Sequence, residues 1–307
     1  MIAEKTLAAI DAAIFKDQGS AYRKFLRELM PQAEDAYRES GDDFRSHLGA
    51  SLIGRPCDRE LWLTFHWAKK RPIEARVLRL FNRGHLEEPR MVAALMAIGC
   101  QVWQHDASGE QYRITGVGGH YGSAIDGVVK GIPEMPDIAI LTEFKTHGDK
   151  SFKKLQGEGV RKAKFEHYVQ MNQYMGEYNL PYALYLATNK NDDDLYAEII
   201  KFDPDNYQQF KARARTIVLT KEIPARINNS PSWYQCRFCD FKSLCHGADT
   251  VERNCRTCFH SHTHEDGTWR CIKPMQPIGE GQDKILTKQD QLAGCEDYKE
   301  IPNIRVK

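Results

Sequence analysis

The stretch Ala124-Ile-Asp-Gly-Val-Val-Lys130, continuing through Gly131-Ile-Pro-Glu-Met-Pro136 to Ile140-Leu-Thr-Glu-Phe-Lys-Thr146, decides how this chain is read. Two β-branched, apolar runs flank a connection that carries Gly and Pro, the pattern of two strands and a turn. Side chains two apart on a strand leave the same face, so Glu143 and Lys145 share one side of the second strand. Asp126 stands on the first, where a hairpin brings it beside Glu143. Two carboxylates and an ammonium at the end of a sheet suit one or two divalent cations and an activated water. The nearby Pro136-Asp137 pair also offers an acid, but only five residues lie between Asp137 and Glu143. That is too few for two strands and a turn, so Asp126 is the better ligand.

The chain has 307 residues, 41% of them hydrophobic, and a net charge of +1. With a mean hydropathy of −0.58, this is the composition of a water-soluble globular protein. No apolar run approaches the ~20 residues that span a bilayer, and the start has no secretory pattern. A cytoplasmic setting is expected, with the nine cysteines reduced and read first as metal ligands. The small net charge excludes a global basic field. Locally, seven Lys/Arg lie between Lys145 and Lys164 against Asp149 and Glu158. Beside a candidate phosphodiester site, such a run reads as phosphate binding.

Outward from the centre, residues from about 3 to 46 have helical spacing with a break at Pro31, and 74 to 98 form a long helical pattern. Gln101–Gln104 and Tyr112–Thr115 alternate like strands. Residues 159 to 179 predict a helix, 182–188 and 195–202 two further strands, and 203 to 225 another helix opened by Pro204. Gln170 and Tyr174, four apart, share a face of the 159–179 helix.

The cysteines fall into two sets and one single. Cys236-x2-Cys239-x5-Cys245 needs a fourth ligand for a closed site, and Cys57 can supply it from far upstream. Cys255-x2-Cys258 with Cys271 and Cys295 reads as a small zinc-ribbon-like module, where a nearby histidine is the alternative fourth ligand. Cys100 is read as core.

Asp126 and Glu143-x-Lys145 resemble the signature of the PD-(D/E)XK nuclease superfamily, an acid on one strand and (D/E)-x-K on the next. Ser51 with Cys57-x-Arg59 is similar to the N-terminal element of its RecB-like branch. Glu88, four residues after Gly84, stands where RecB-like members usually have His and where the YqaJ-like phage-type exonucleases have Glu; His85 is the weaker candidate. Gln170-x3-Tyr174 resembles the Q-x-x-x-Y element of both groups. One early Cys with a C-terminal C-x2-C-x5-C is similar to the iron–sulfur nucleases of the AddB and CRISPR-associated RecB-like type. The resemblance spans about residues 50 to 246 and rests on five elements in order.

It implies an α/β fold, a restriction-endonuclease-like core with a mixed central sheet flanked by helices. An N-terminal helical arm (1–49), a nuclease domain (50–248) and a Cys-rich module (249–307) are the expected divisions. It implies Mg²⁺ or Mn²⁺ held by Asp126, Glu143 and the Phe144 carbonyl, with Glu88 as a further acid and Lys145, Gln170 and Tyr174 in the catalytic constellation. It implies a 4Fe–4S cluster on Cys57, Cys236, Cys239 and Cys245, with zinc the competing metal, and zinc in the last four thiols. The function implied is DNA exonuclease action in recombination, replication or repair, in a bacterial or phage-infected cell, alongside recombination or single-strand-binding proteins and no membrane. An endonuclease of the same fold, a silent DNA-binding scaffold and a redox protein stand as alternatives.

Overall fold

A computed structural model describes residues 1–33, 36–37, 44–70, 73–273 and 283–305. In chain order the elements are α1 (Glu4–Asp17), α2 (Ser20–Leu29), β1 (Leu48–Gly49), α3 (Asp58–Phe65), α4 (Ala75–Ala97), β2 (Gln101–Trp103) and β3 (Arg113–Gly116). Next come β4 (Tyr121–Ala124), β5 (Gly127–Lys130), β6 (Ile140–His147), α5 (Asp149–Ala163), α6 (Phe165–Tyr178), β7 (Tyr182–Asn189) and β8 (Leu195–Lys201). The remainder holds α7 (Pro204–Leu219), α8 (Tyr234–Arg237), α9 (Lys242–His246), β9 (Ser261–Thr263), β10 (Trp269–Cys271), β11 (Lys284–Leu286) and α10 (Lys288–Ala293).

The chain forms two compact units. The first gathers residues 1–41, 73–114 and 124–208; the second gathers 42–72, 115–123 and 209–307. The chain passes from one unit to the other several times.

The first unit is built on a five-stranded sheet of order β2-β5-β6-β7-β8. Only the β6–β7 pair is parallel. Parallel neighbours need a crossover, and α5 with α6 supplies it. The sheet is therefore mixed and carries helices, as expected of a restriction-endonuclease-like α/β core. One face packs Phe144, Leu184, Leu186 and Ile199 against Met91, Val92 and Leu95 of α4 and Ile10 of α1. Burying such a side chain contributes ~1.5–3 kcal/mol. The N-terminus joins the sheet edge: Ile2 bridges Glu198, and the Ala3 N–H donates to the Ala197 carbonyl at 2.9 Å.

Two expectations need correction. Asp126 is not within a strand but in the two-residue break between β4 and β5. Gly127, at φ +152°, makes that break; a Cβ there would meet the Trp103 carbonyl oxygen at 2.9 Å. The helix expected over 159–179 is α6, which starts at Phe165, and the basic run before it is a helix of its own, α5. Gly159 interrupts the regular geometry of α5 at φ +72°, ψ 168°, a conformation glycine adopts without a Cβ penalty. The Val160 N–H then donates to Glu198 Oε2 at 2.7 Å.

The second unit is centred on aromatic rings around a buried arginine. The Arg256 guanidinium lies 3.6 Å from the Trp67 ring centre and 4.8 Å from that of Trp269. It donates to the Phe65 and Ser46 carbonyls at 2.9 and 3.0 Å and to Gln291 at 2.8 Å. Stacking and hydrogen bonds together offset the cost of burying its charge. In the same unit β1 pairs in parallel with the start of β4, and β9, β10 and β11 form an antiparallel sheet with β10 in the middle.

Candidate active site

The β5–β6 register pairs Gly127 with Thr142, which sets Asp126 opposite Glu143, one step beyond the ladder. Asp126 Oδ2 accepts the Phe144 N–H at 2.7 Å. Lys145 Nζ donates to Glu143 Oε1 and, at 3.1 Å, to the Phe144 carbonyl. The structure thus brings Asp126, Glu143, Lys145 and the Phe144 carbonyl together.

Glu143 is fully buried, and among the described residues its second oxygen, Oε2, has no hydrogen-bond partner. Burial pushes this carboxyl up to about 7; the Lys145 charge works against that rise and the Asp126 charge adds to it. Burial opposes the Lys145 charge, yet Glu143 and Asp126 outweigh it and its pKa rises. An orphaned buried carboxylate oxygen is costly unless a donor or cation meets it. A hard divalent cation fits that oxygen, the Asp126 carboxylate and a backbone carbonyl, since such ions take oxygen ligands of these types.

Glu88 sits half-buried on α4, the helix whose apolar side packs with Phe144 in the core. Its neighbour Glu87 is buried, with Oε1 3.4 Å from Thr188 Oγ1 and Oε2 accepting from Arg90 at 3.2 Å. His85 is also half-buried on α4. Gln170 and Tyr174 are buried on α6 and bond each other, Gln170 Nε2 to the Tyr174 hydroxyl at 2.9 Å.

Sequence reasoning passed over a polar network on the same side of the sheet. The Tyr185 hydroxyl on β7 lies 2.8 Å from His147 Nε2 and 2.9 Å from His167 Nδ1. Ser151 Oγ stands 3.4 Å from the other nitrogen of His147, and Lys164 Nζ donates to Ser151 at 2.5 Å. Tyr185 is the register partner of Glu143, so the network adjoins the acidic pair. Burial, then the Lys164 and Lys145 charges, lowers His147 to about 4. Burial and Lys145 lower His167 to about 2. Both imidazoles are neutral at neutral pH, and burial keeps the phenol protonated. A signal was present in the sequence: Glu143, Lys145 and His147 alternate onto one face.

The basic helix α5 exposes Lys150, Lys153, Lys154, Arg161 and Lys162. Lys153 pairs with Asp149 at 2.9 Å, and Arg161 lies 3.7 Å from Asp203. Part of its charge is therefore balanced within the fold.

In the second unit Cys57, Cys236, Cys239 and Cys245 line one pocket with Arg59 and Glu60. Cys57 caps α3, while α8, the turn after it and α9 supply the other three. Burial pushes Cys239 up to about 12, reinforced, among other charges, by Cys245 and Cys57. In the second set, burial and then the charges of Cys258, Cys295 and Cys271 push Cys255 up to about 12. Soft thiolates in fours suit zinc or an iron–sulfur cluster. Cys100 is buried in the first unit's core, as expected.

The chain matches no known family model and no curated protein sequence. Solved structures similar to it include LHK-Exo in complex with dAMP, at 16% identity over 56% of this chain and 86% of that one, with a TM-score of 0.39. A second structure of this alkaline exonuclease from Laribacter hongkongensis has 14% identity, the same coverages and a TM-score of 0.38. SSO0001 is similar at 12% identity over 75% of this chain and 96% of its own, with a TM-score of 0.38. At these scores the likeness is too distant to assign an activity. Among the described residues, no helix is long and apolar enough to cross a membrane.

Proposed function

We propose that this protein is a Mg²⁺- or Mn²⁺-dependent deoxyribonuclease of the PD-(D/E)XK type, acting as an exonuclease in recombination, replication or repair. The observation that carries this reading is the fully buried Glu143 carboxylate, with one oxygen on Lys145, the other without a partner among the described residues, and Asp126 opposite.

Asp126, Glu143 and the Phe144 carbonyl are the groups that would hold the cation. When bound, it polarises a phosphate oxygen and lowers the pKa of a coordinated water. The Phe144 N–H fixes the Asp126 carboxylate toward Glu143. Lys145, anchored on Glu143 and the Phe144 carbonyl, keeps its charge at neutral pH, orients the attacking water and balances charge that develops at phosphorus. Gln170 and Tyr174, buried and tied to each other on α6, would help to position Lys145 and, through it, the DNA backbone. The exposed cations of α5 supply sequence-independent attraction to phosphates. Glu88 remains the proposed further acid of this site.

Cys57, Cys236, Cys239 and Cys245 are proposed to hold a 4Fe–4S cluster as a structural staple, with zinc as the competing metal. Cys255, Cys258, Cys271 and Cys295 are proposed to hold zinc. Hydrolysis needs no electron transfer, so neither centre enters the chemistry. DNA is the proposed partner, in the cytoplasm of a bacterial or phage-infected cell.

The test is digestion of end-labelled linear and covalently closed circular DNA by anaerobically purified protein with Mg²⁺ or Mn²⁺. Loss of linear DNA with circles spared supports the exonuclease, and the fate of the label gives its polarity. Cutting of circles makes it an endonuclease with the same site. DNA binding without cutting makes it a scaffold.

A further inference from the structure

We infer that His262, His264 and Asp283 form a third metal site, distinct from both cysteine sets, that binds a divalent transition metal of the zinc class.

The two histidines are two apart on and just beyond β9, so their rings leave one face of the strand. Their centres lie 4.7 Å apart. Asp283 enters β11 on the far side of β10, and its Oδ2 reaches to 3.4 Å from His262 Nε2 and 3.8 Å from His264 Nε2. All three ligand atoms lie within 4.8 Å of one another.

These separations are long for hydrogen bonds, which close to ~2.7–3.2 Å. They are close to what a tetrahedral ion imposes: with Zn–N and Zn–O near 2.0–2.1 Å, neighbouring ligand atoms stand about 3.3 Å apart. Among the described residues, two buried ring nitrogens, His264 Nε2 and His262 Nδ1, have no hydrogen-bond partner. His262 is only 10% exposed, so water does not readily replace one. His264 Nε2, aimed at the carboxylate yet unbonded, is what a ligand atom looks like before its ion.

Two imidazoles and one carboxylate select zinc over magnesium or calcium, which prefer oxygen alone. Among the described residues, no cysteine thiol joins this group of ligand atoms. The two histidines and Asp283 are therefore a cluster of their own. Three protein ligands leave a fourth position for water. His262 also lines a cavity of about 600 Å³ with Arg59, His66 and Lys221.

The ion would tie the two outer strands of the β9–β10–β11 sheet to each other. Those strands are three residues each, too short to hold a sheet by ladder bonds alone.

The experiment is metal counting on full-length protein reconstituted with Zn²⁺, comparing wild type with His264→Gln/Asp283→Asn. The expected result is one zinc fewer per chain in the variant, whose folding is checked by circular dichroism. Equal zinc content overturns the site. A second measurement needs no variant. Zinc-edge X-ray absorption of the wild type should show nitrogen or oxygen scatterers at ~2.0–2.1 Å beside sulfur at ~2.3 Å; sulfur alone overturns the proposal. Neither outcome depends on nuclease activity.

Discussion

Asp126 and Glu143 face each other one step beyond the β5–β6 ladder, and the Phe144 N–H, 2.7 Å from Asp126 Oδ2, fixes the first toward the second. Asp126→Asn keeps the shape and the acceptor but removes one charge. Affinity for Mn²⁺ should fall by more than the ~10–100-fold that losing a supporting hydrogen bond at a metal site costs. A calorimetric Mn²⁺ isotherm on wild type and variant reads this directly; unchanged affinity removes Asp126 from the site.

Tyr185→Phe deletes the hydroxyl between His147 and His167 and leaves two buried ring nitrogens without it. The cost should be about 1–3 kcal/mol of stability, read as a shift of the urea midpoint. A neutral effect would mean that the phenol is not the joint of this network.

The same pair gives a pH dependence whose sign is fixed. Both histidines titrate lower in the folded chain than the ~6.5 of a free imidazole, His147 at about 4. The unfolded chain then binds more protons between those values, so the stability they contribute is full above about 6.5 and lost as pH falls towards 4. Each contributes a slope of up to ~1.4 kcal/mol per pH unit in that window. Urea midpoints from pH 7.5 to 4.5 should decline with a shallower slope in His147→Gln.

Protein purified without oxygen should carry about four iron and four sulfide per chain if a cubane fills the first thiol set. Cys57→Ser should lose both while leaving the second set's zinc in place. Zinc at both centres with no iron would leave the cysteines assigned and change the metal.

Arg256→Lys keeps the charge but not the planar fork that reaches three acceptors. With Trp67 and Trp269 stacked around the guanidinium, the loss should be about 2–3 kcal/mol, measured by thermal unfolding of the full chain.

The pairing of Asp126 with Glu143 was legible because hairpin register and strand alternation are short-range and periodic. The long α4 and the strands β7 and β8 were legible for the same reason. Asp126's place in a strand break was not, because it depends on the positive φ of Gly127 and its close approach to Trp103. The helix α5 was hidden by charge, which drew attention to phosphate binding rather than to Phe152 and Leu155, buried on its inner side. Tyr185 gave no sign in a run of apolar strand residues; only the parallel β6–β7 register sets it beside Glu143. The two-unit arrangement depends on residues 44–70 packing with a segment far along the chain, a long-range contact that periodicity does not show.

The measurement that bears most directly on the nuclease reading is nucleotide release from linear duplex DNA in Mg²⁺ by wild type and by Lys145→Ala, both shown to be folded. Wild type should degrade the duplex. The variant should be slower by at least the ~10²–10³-fold that losing one transition-state donor costs, with DNA binding retained. Equal rates in the two proteins, or no release by the metal-loaded wild type, would contradict a phosphodiesterase centre at Asp126, Glu143 and Lys145.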